Sequence, residues 1–338
     1  MAEARDNVLD VETLSIALRQ DDATVPIVED ISFSLARGEV LALVGESGSG
    51  KSLTALSLMQ LLSKELAITK GRILLHAADG GVTDIVGLGA NGRAIEAIRG
   101  RRMGMIFQEP MSSFSPIHTI GAQIAEVAMI HEKVTREEAR RRAAELLAKV
   151  GIPDPVRALD RYPQEFSGGM RQRAMIARAL ICGPGLLIAD EPTTALDVTI
   201  QSQILDLMRK LKNELGMAIL FITHDLGIVA QMADRVAIMY SGRIVESGPV
   251  RDIFRRPVHP YTRALLEAVP RLGDIDRHRK IRPIAGSIPN IFDVPQGCRF
   301  HPRCPAAQLP RCAEAPPPRY DAGRHHVSCI HGAEELGR

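Results

Sequence analysis

The sequence contains no tryptophan, and Phe and Tyr supply only 4% of its 338 residues. So small a supply excludes a chain built around aromatic platforms for stacking nucleic-acid bases. Long apolar runs are missing as well. The richest stretches, residues 186–189 and 217–223, have the length of strands, so no membrane-spanning helix is expected. Nor does one sign of charge dominate: 42 basic against 40 acidic residues leave +2, which argues against a generally polybasic nucleic-acid binder. The opening ten residues carry Glu3, Arg5, Asp6 and Asp10 instead of an apolar core, so no secretory leader is expected. Five cysteines, an odd number with no export signal, predict a reducing cytosol and no disulfide framework.

What is present is an ordinary globular composition, 45% hydrophobic and 24% charged, in a chain long enough for one large domain with an appendage or for two modest domains. Strand patterns occupy residues 8–18, 27–35 and 40–44. A glycine-rich turn follows, then Leu53, Leu56, Leu58, Leu61 and Leu62 at helical spacing. The middle of the chain is helical. Thr135 and Glu138 form a capping-box pattern ahead of Ala139, Ala143, Leu146, Leu147 and Val150, and Gly151 and Pro153 end the run. Arg140, Arg141 and Arg142 read as its solvated face. Residues 186–189 and 218–223 read as buried parallel strands, separated by a helix with Ile200, Ile204, Leu207, Met208, Leu211 and Leu215 on one face and Gly216 as its stop. Alternating strands and helices predict a three-layer α/β domain. Past about residue 246 the composition shifts to Pro, His, Arg and Cys, so the expected division is 1–250 and 251–338.

Gly45-Glu46-Ser47-Gly48-Ser49-Gly50-Lys51-Ser52 fits G-x-x-x-x-G-K-[ST] and stands between a predicted strand and a predicted helix. The residue types follow from the chemistry. Glycines let successive N–H groups turn toward a polyanion, and the helix presents its positive end to the same oxygens. Lys51 is placed to reach β and γ phosphates, and Ser52 offers a hydroxyl to Mg²⁺. A second metal contact is expected from Asp190, at the end of the apolar run 186–189. Glu191, one residue on, is placed to polarise the water that attacks the γ phosphate.

Three further segments narrow the reading. Phe166-Ser167-Gly168-Gly169-Met170-Arg171-Gln172-Arg173 resembles the signature motif of the ATP-binding cassette (ABC) ATPases, with Phe and Met in place of the commoner Leu and Gln. Gln108, in Met105-Ile106-Phe107-Gln108-Glu109-Pro110, resembles their Q-loop glutamine; His224, after Thr223, resembles the switch histidine; Ala195-Leu196-Asp197 matches the D-loop. The resemblance covers about residues 8–250 and continues into His259-Pro260-Tyr261-Thr262 and Gly297-Cys298-Arg299-Phe300-His301-Pro302-Arg303-Cys304-Pro305, which are similar to the C-terminal extension of oligopeptide and dipeptide importer ATPases. One departure is the lack of an aromatic near Leu18 to stack on adenine, so base stacking is expected to be weaker or replaced by aliphatic packing.

The resemblance implies a P-loop NTPase cassette with a RecA-like parallel core, an antiparallel β part, a helical subdomain near residues 110–165 and a small Cys-rich extension. It implies ATP and Mg²⁺, and two cassettes paired head to tail, each ATP held between the Gly45 loop of one and the Ser167, Gly168, Gly169 turn of the other. A Ser-Gly-Gly turn opening a helix is itself an anion site. In that scheme Gln108 touches Mg²⁺ and the attacking water, His224 the γ phosphate, and Asp197 the facing subunit. Implied partners are a second, related ATPase, two membrane permeases and an extracytoplasmic binding protein, with no nucleic acid. The implied location is peripheral, on the cytoplasmic face of the inner membrane.

Four of the five cysteines, Cys298, Cys304, Cys312 and Cys329, fall in the last 41 residues, separated by five, seven and sixteen residues. Neither zinc nor ferredoxin spacing is met. Resemblance to the importer extension implies a [4Fe–4S] cluster, with zinc or plain reduced thiols as alternatives. A metal clip would suit a Pro-rich tail with little apolar core. Cys182 reads as a small buried hydrophobe. The rival expectation is a soluble ABC ATPase of nucleic-acid repair whose cysteines bind zinc.

Overall fold

A computed structural model describes residues 6–20, 23–108, 113–194, 196–269 and 284–336. Glu109, Pro110 and Ala195, quoted above, lie outside the described residues. In chain order the strands are β1 (Asn7–Gln20), β2 (Ala23–Ala36), β3 (Val40–Val44), β4 (Leu66–His76), β5 (Val82–Asp84), β6 (Met103–Ile106), β7 (Leu186–Asp190), β8 (Ala218–Thr223), β9 (Arg235–Tyr240), β10 (Arg243–Pro249), β11 (Arg319–Ala322) and β12 (His325–Ser328). They form a four-stranded antiparallel sheet, β2-β1-β4-β5, and an eight-stranded sheet, β11-β12-β10-β9-β3-β8-β7-β6. Within the larger sheet β9, β3, β8, β7 and β6 run parallel, and β10, β12 and β11 continue it antiparallel.

Every residue of β3, β7, β8 and β9 is buried, as the unbroken apolar runs require of strands covered on both faces. The period of two sorts β7 between two layers. Leu186 and Ile188 join Leu14, Ile31, Ala55 and Leu58, under the antiparallel sheet and helix Lys51–Leu58. Leu187 and Ala189 join Phe166, Ile176, Ile204 and Leu211, under helices Gly168–Leu180 and Val198–Leu215. The chain is the three-layer α/β protein that the alternation predicts.

The helix expected to reach Leu62 stops at Leu58. Gln60 turns left-handed (φ 52°) and the Leu61 N–H folds back to Leu56 O at 2.8 Å, so Leu62 reaches the core from a loop. Helices Ile120–Glu132, Arg136–Lys149 and Pro155–Ala158 fill the middle of the chain. Thr135 Oγ1 accepts the Glu138 N–H at 3.3 Å, but the Glu138 carboxylate turns to Arg141 and Arg142, so only half of the capping box forms.

The tail folds back on the edge of the cassette. Glu246 and Ser247 of β10 pair with Val327 and His326 of β12, and Phe300 packs on Tyr240 and Tyr261 with ring centroids 5.1 and 5.3 Å away. Among the described residues no helix is long and apolar enough to cross a membrane.

Candidate nucleotide site

Four neighbouring parallel strands, in the order β3-β8-β7-β6, end in the segments that the sequence singles out. The Gly45 loop follows β3, His224 follows β8, Glu191 follows β7, and Gln108 lies two residues beyond β6. Side chains just past the carboxyl ends of adjacent strands converge in one crevice, the usual binding place of an open α/β sheet.

Two glycines of the loop are dictated by space. A Cβ on Gly45 would lie 2.1 Å from Met239 O, and Gly50 has φ 98° with Val28 Cγ2 2.8 Å from where a Cβ would stand. Lys51 opens the following helix and is only 5% exposed. Its ammonium donates to Gly45 O at 2.8 Å and Glu46 O at 2.9 Å, with Ser49 Oγ at 3.4 Å. Burial pulls the lysine pKa below its ordinary value, while Glu191, Asp190 and Glu46 oppose that shift.

Ser52 Oγ lies 3.2 Å from Asp190 Oδ1, so the hydroxyl and the carboxylate expected to share a cation are already neighbours. Both are hard oxygen donors, the set that Mg²⁺ prefers. Burial pushes the Asp190 carboxyl up, and Glu191 adds to the shift against the Ser52 hydrogen bond and Lys51. Glu191 receives three hydrogen bonds: from His224 Nδ1 at 3.1 Å, Gln108 Nε2 at 3.2 Å and Thr194 Oγ1 at 3.0 Å. Burial would raise its pKa, but the His224 and Thr194 hydrogen bonds, together with the charges of His224 and Lys51, outweigh it and hold the carboxyl below the ordinary range. A carboxylate kept ionised and aimed by its neighbours is what polarising a water requires.

Lys51, Ser52, Gln108, Asp190, Glu191 and His224 are thus brought together. Ser167, Gly168, Gly169 and Asp197 are not; they lie with the other layer. Ser167 caps helix Gly168–Leu180, accepting the Met170 N–H at 3.3 Å, and Asp197 caps helix Val198–Leu215, accepting the Ile200 N–H at 3.0 Å. A Cβ on Gly169 would lie 2.9 Å from Ile200 Cγ2, so these two helix starts abut, and Ser167, Gly168 and Asp197 share an exposed edge.

The sequence reading missed Thr194 and Gln172. Gln172, fully buried, donates from its amide to Pro192 O and so ties the signature helix to the loop after Glu191. A polar side chain on the buried face of an amphipathic helix was the available signal.

The thiols of Cys298, Cys304, Cys312 and Cys329 are free and line one small cavity with His259, Phe300, His301 and His331. Burial raises the pKa of Cys298 and Cys304, and pushes Cys329 up to about 11. Among the described residues no group of three or more His, Cys, Asp or Glu side chains is arranged to hold a metal ion.

Two family models match the chain: ABC transporter over residues 28–194, and oligopeptide/dipeptide transporter, C-terminal region, over residues 245–312. A putative peptide import ATP-binding protein of Brucella melitensis is 50% identical over 337 residues, covering 98% of this chain and 99% of that protein. The glutathione import ATP-binding protein of Escherichia coli is 53% identical over 268 residues, 79% of this chain but 43% of that longer protein. Among solved structures, a dimeric bacterial ABC transporter cassette superposes with a TM-score of 0.62 at 25% identity, covering 72% of this chain and 99% of that one. A component of an ABC transporter complex from Clostridium perfringens gives 0.61 at 28% identity, over 74% and 91%. The second family match takes in Cys298, Cys304 and Cys312, so the cysteine-bearing tail is of the transporter kind and the nucleic-acid repair reading is not favoured. The chain belongs to the ABC transporter ATP-binding family, in its oligopeptide/dipeptide branch.

Proposed function

We propose that this chain is the ATP-hydrolysing subunit that powers an importer of peptides or related solutes. The observation that carries the reading is the convergence on Glu191 of His224, Gln108 and Thr194, beside Lys51 and the Ser52–Asp190 pair. In this reading residues 45–52 cradle the triphosphate, with Lys51 released from Gly45 and Glu46 to meet its outer phosphates. Ser52 and Asp190, with Gln108, would hold Mg²⁺, whose chemistry when bound would be to neutralise charge developing on the phosphoryl oxygens. Glu191 takes a proton from the attacking water and His224 donates to the γ phosphate.

The edge that carries Ser167, Gly168, Gly169 and Asp197 is read as the half-site offered to a second, homologous ATPase, most simply a related and not identical one. The pair would sit on the cytoplasmic face of the inner membrane beneath two permeases fed by an extracytoplasmic binding protein. Glu191→Gln tests the reading: MgATP binding should persist while kcat falls by a factor on the order of 10² or more. Full turnover in that variant would remove Glu191 from the chemistry. Lys51→Ala should instead weaken MgATP binding itself.

For the tail, the reading is a [4Fe–4S] cluster held by Cys298, Cys304, Cys312 and Cys329, with zinc as the alternative. It is supported by four free thiols on one cavity. When bound it would cross-link a Pro-rich segment. Anaerobic purification that recovers neither iron with sulfide nor zinc would refute it.

A further inference from the structure

The second residue of the phosphate loop is held from the far end of the chain. Arg303, in the short turn His301–Arg303 of the extension, donates from Nη1 to Glu46 Oε2 at 2.8 Å and from Nη2 to Glu46 Oε1 at 3.2 Å. The Arg303 side chain is only 5% exposed. It is fixed on its other sides by Nε donating to Ala285 O at 2.9 Å and Nη1 lying 3.3 Å from Tyr240 Oη, with the guanidinium over the Tyr240 ring. A second extension residue, the fully buried Tyr261, accepts the Glu46 backbone N–H on its hydroxyl at 3.1 Å. Tyr261 is wedged between Tyr240 and Phe300, with centroids at 4.6 and 5.3 Å. With Lys51 on its carbonyl, Glu46 has its side chain, N–H and C=O all engaged.

We infer that Arg303 and Tyr261 are positioning residues of the nucleotide site: by gripping Glu46 they preset the entry of the loop, so that the extension sets ATP affinity without touching the nucleotide. The physical grounds are three. A half-buried two-point Arg–carboxylate pair fixes orientation as well as distance. The Tyr261 contact occupies the Glu46 N–H, which leaves the N–H groups farther along the loop to serve the anion. A loop held before the ligand arrives has less conformational freedom to lose on binding. Surface salt bridges contribute little, but this one is neither exposed nor held at a single point.

The inference rests on reading residues 45–52 as the triphosphate cradle, and the experiment separates the two. MgATP binding and ATP hydrolysis are measured on the full chain carrying Arg303→Gln, Glu46→Gln, both together, Arg303→Lys and, as the reference, Lys51→Ala. Arg303→Gln should weaken MgATP binding by about tenfold and raise KM for ATP while kcat at saturation changes little, and Glu46→Gln should weaken MgATP binding by a similar factor. The double variant should be no worse than either single one, because Arg303 acts through Glu46. Arg303→Lys, which keeps the charge and loses the fork, should recover only part of the affinity.

Unchanged affinity in Arg303→Gln beside a lost affinity in Lys51→Ala overturns the inference and leaves the cradle intact. Losses that multiply in the double variant also overturn it. Undiminished binding in Lys51→Ala would instead sink the cradle reading. If Arg303→Gln does not fold, Tyr261→Phe, which removes one hydroxyl, should still weaken MgATP binding severalfold; wild-type affinity there counts against the inference.

Discussion

Glu191 stands at φ 47°, a left-handed conformation that non-glycine residues rarely adopt. It is held there by its N–H on Ile222 O at 2.9 Å and by the three donors on its carboxylate. Such a residue costs about 1–3 kcal/mol, and glycine in its place would cost about 0.5–1 kcal/mol of extra chain entropy. Glu191→Gly should therefore melt above Glu191→Ala, which loses the same side-chain hydrogen bonds but keeps the strained backbone, while hydrolysis collapses in both. An equal or lower melting temperature for the glycine variant in calorimetry would show that the backbone there is not strained. Cys182 makes the opposite case, a residue with no part in the chemistry. Burial pushes its thiol up to about 11, so at pH 8 roughly one molecule in a thousand carries the thiolate. Iodoacetamide at pH 8 should leave Cys182 unlabelled in the native protein and label it after denaturation, as read by peptide mass spectrometry; rapid native labelling would contradict its place under the helical layer.

Among the elements, helix Val198–Leu215 begins on a residue with two assignments. Asp197 caps it through Ile200 N–H, and in the proposed pairing the same carboxylate faces the partner cassette. Asp197→Ala should lose about 1 kcal/mol of stability with the cap. Asp197→Ser keeps a capping oxygen and should restore the melting temperature; if the carboxylate is needed across the interface, ATPase activity stays low in both. Full activity in Asp197→Ser would confine the residue to capping. Elements were legible where the signal was local. The strand, glycine turn and helix around Lys51 are contiguous, and so are the Thr135 cap and the stop at Gly151. The end of the first helix was not legible, because Leu61 and Leu62 keep helical spacing although the chain has already turned at Gln60. β11 and β12 were missed because they owe their order to the edge of β10 and not to an apolar alternation of their own. The Arg303–Glu46 pair spans 257 positions, and no local pattern announces a contact of that range.

For the whole molecule, the expected division near residue 250 meets a sheet that runs across it. β12 continues the parallel core through β10, and Tyr261 and Phe300 share a core with Ala42, Val44, Ile238 and Tyr240. Glu246, 1% exposed, joins the two parts through its carboxylate, which accepts the Val258 and His259 N–H groups at 2.8 and 3.0 Å and lies 2.7 Å from His325 Nε2. A chain ended at residue 249 loses all of these partners. Two fully buried aromatic side chains withdrawn from that core forfeit roughly 1.5–3 kcal/mol each. That sum, about 3–6 kcal/mol, is a large share of the 5–15 kcal/mol that holds a typical domain folded. The shortened protein should melt well below the full chain and bind a hydrophobic dye over the uncovered Tyr240 face. An unchanged melting curve would mean that the cassette is autonomous and that the tail merely rests on its edge.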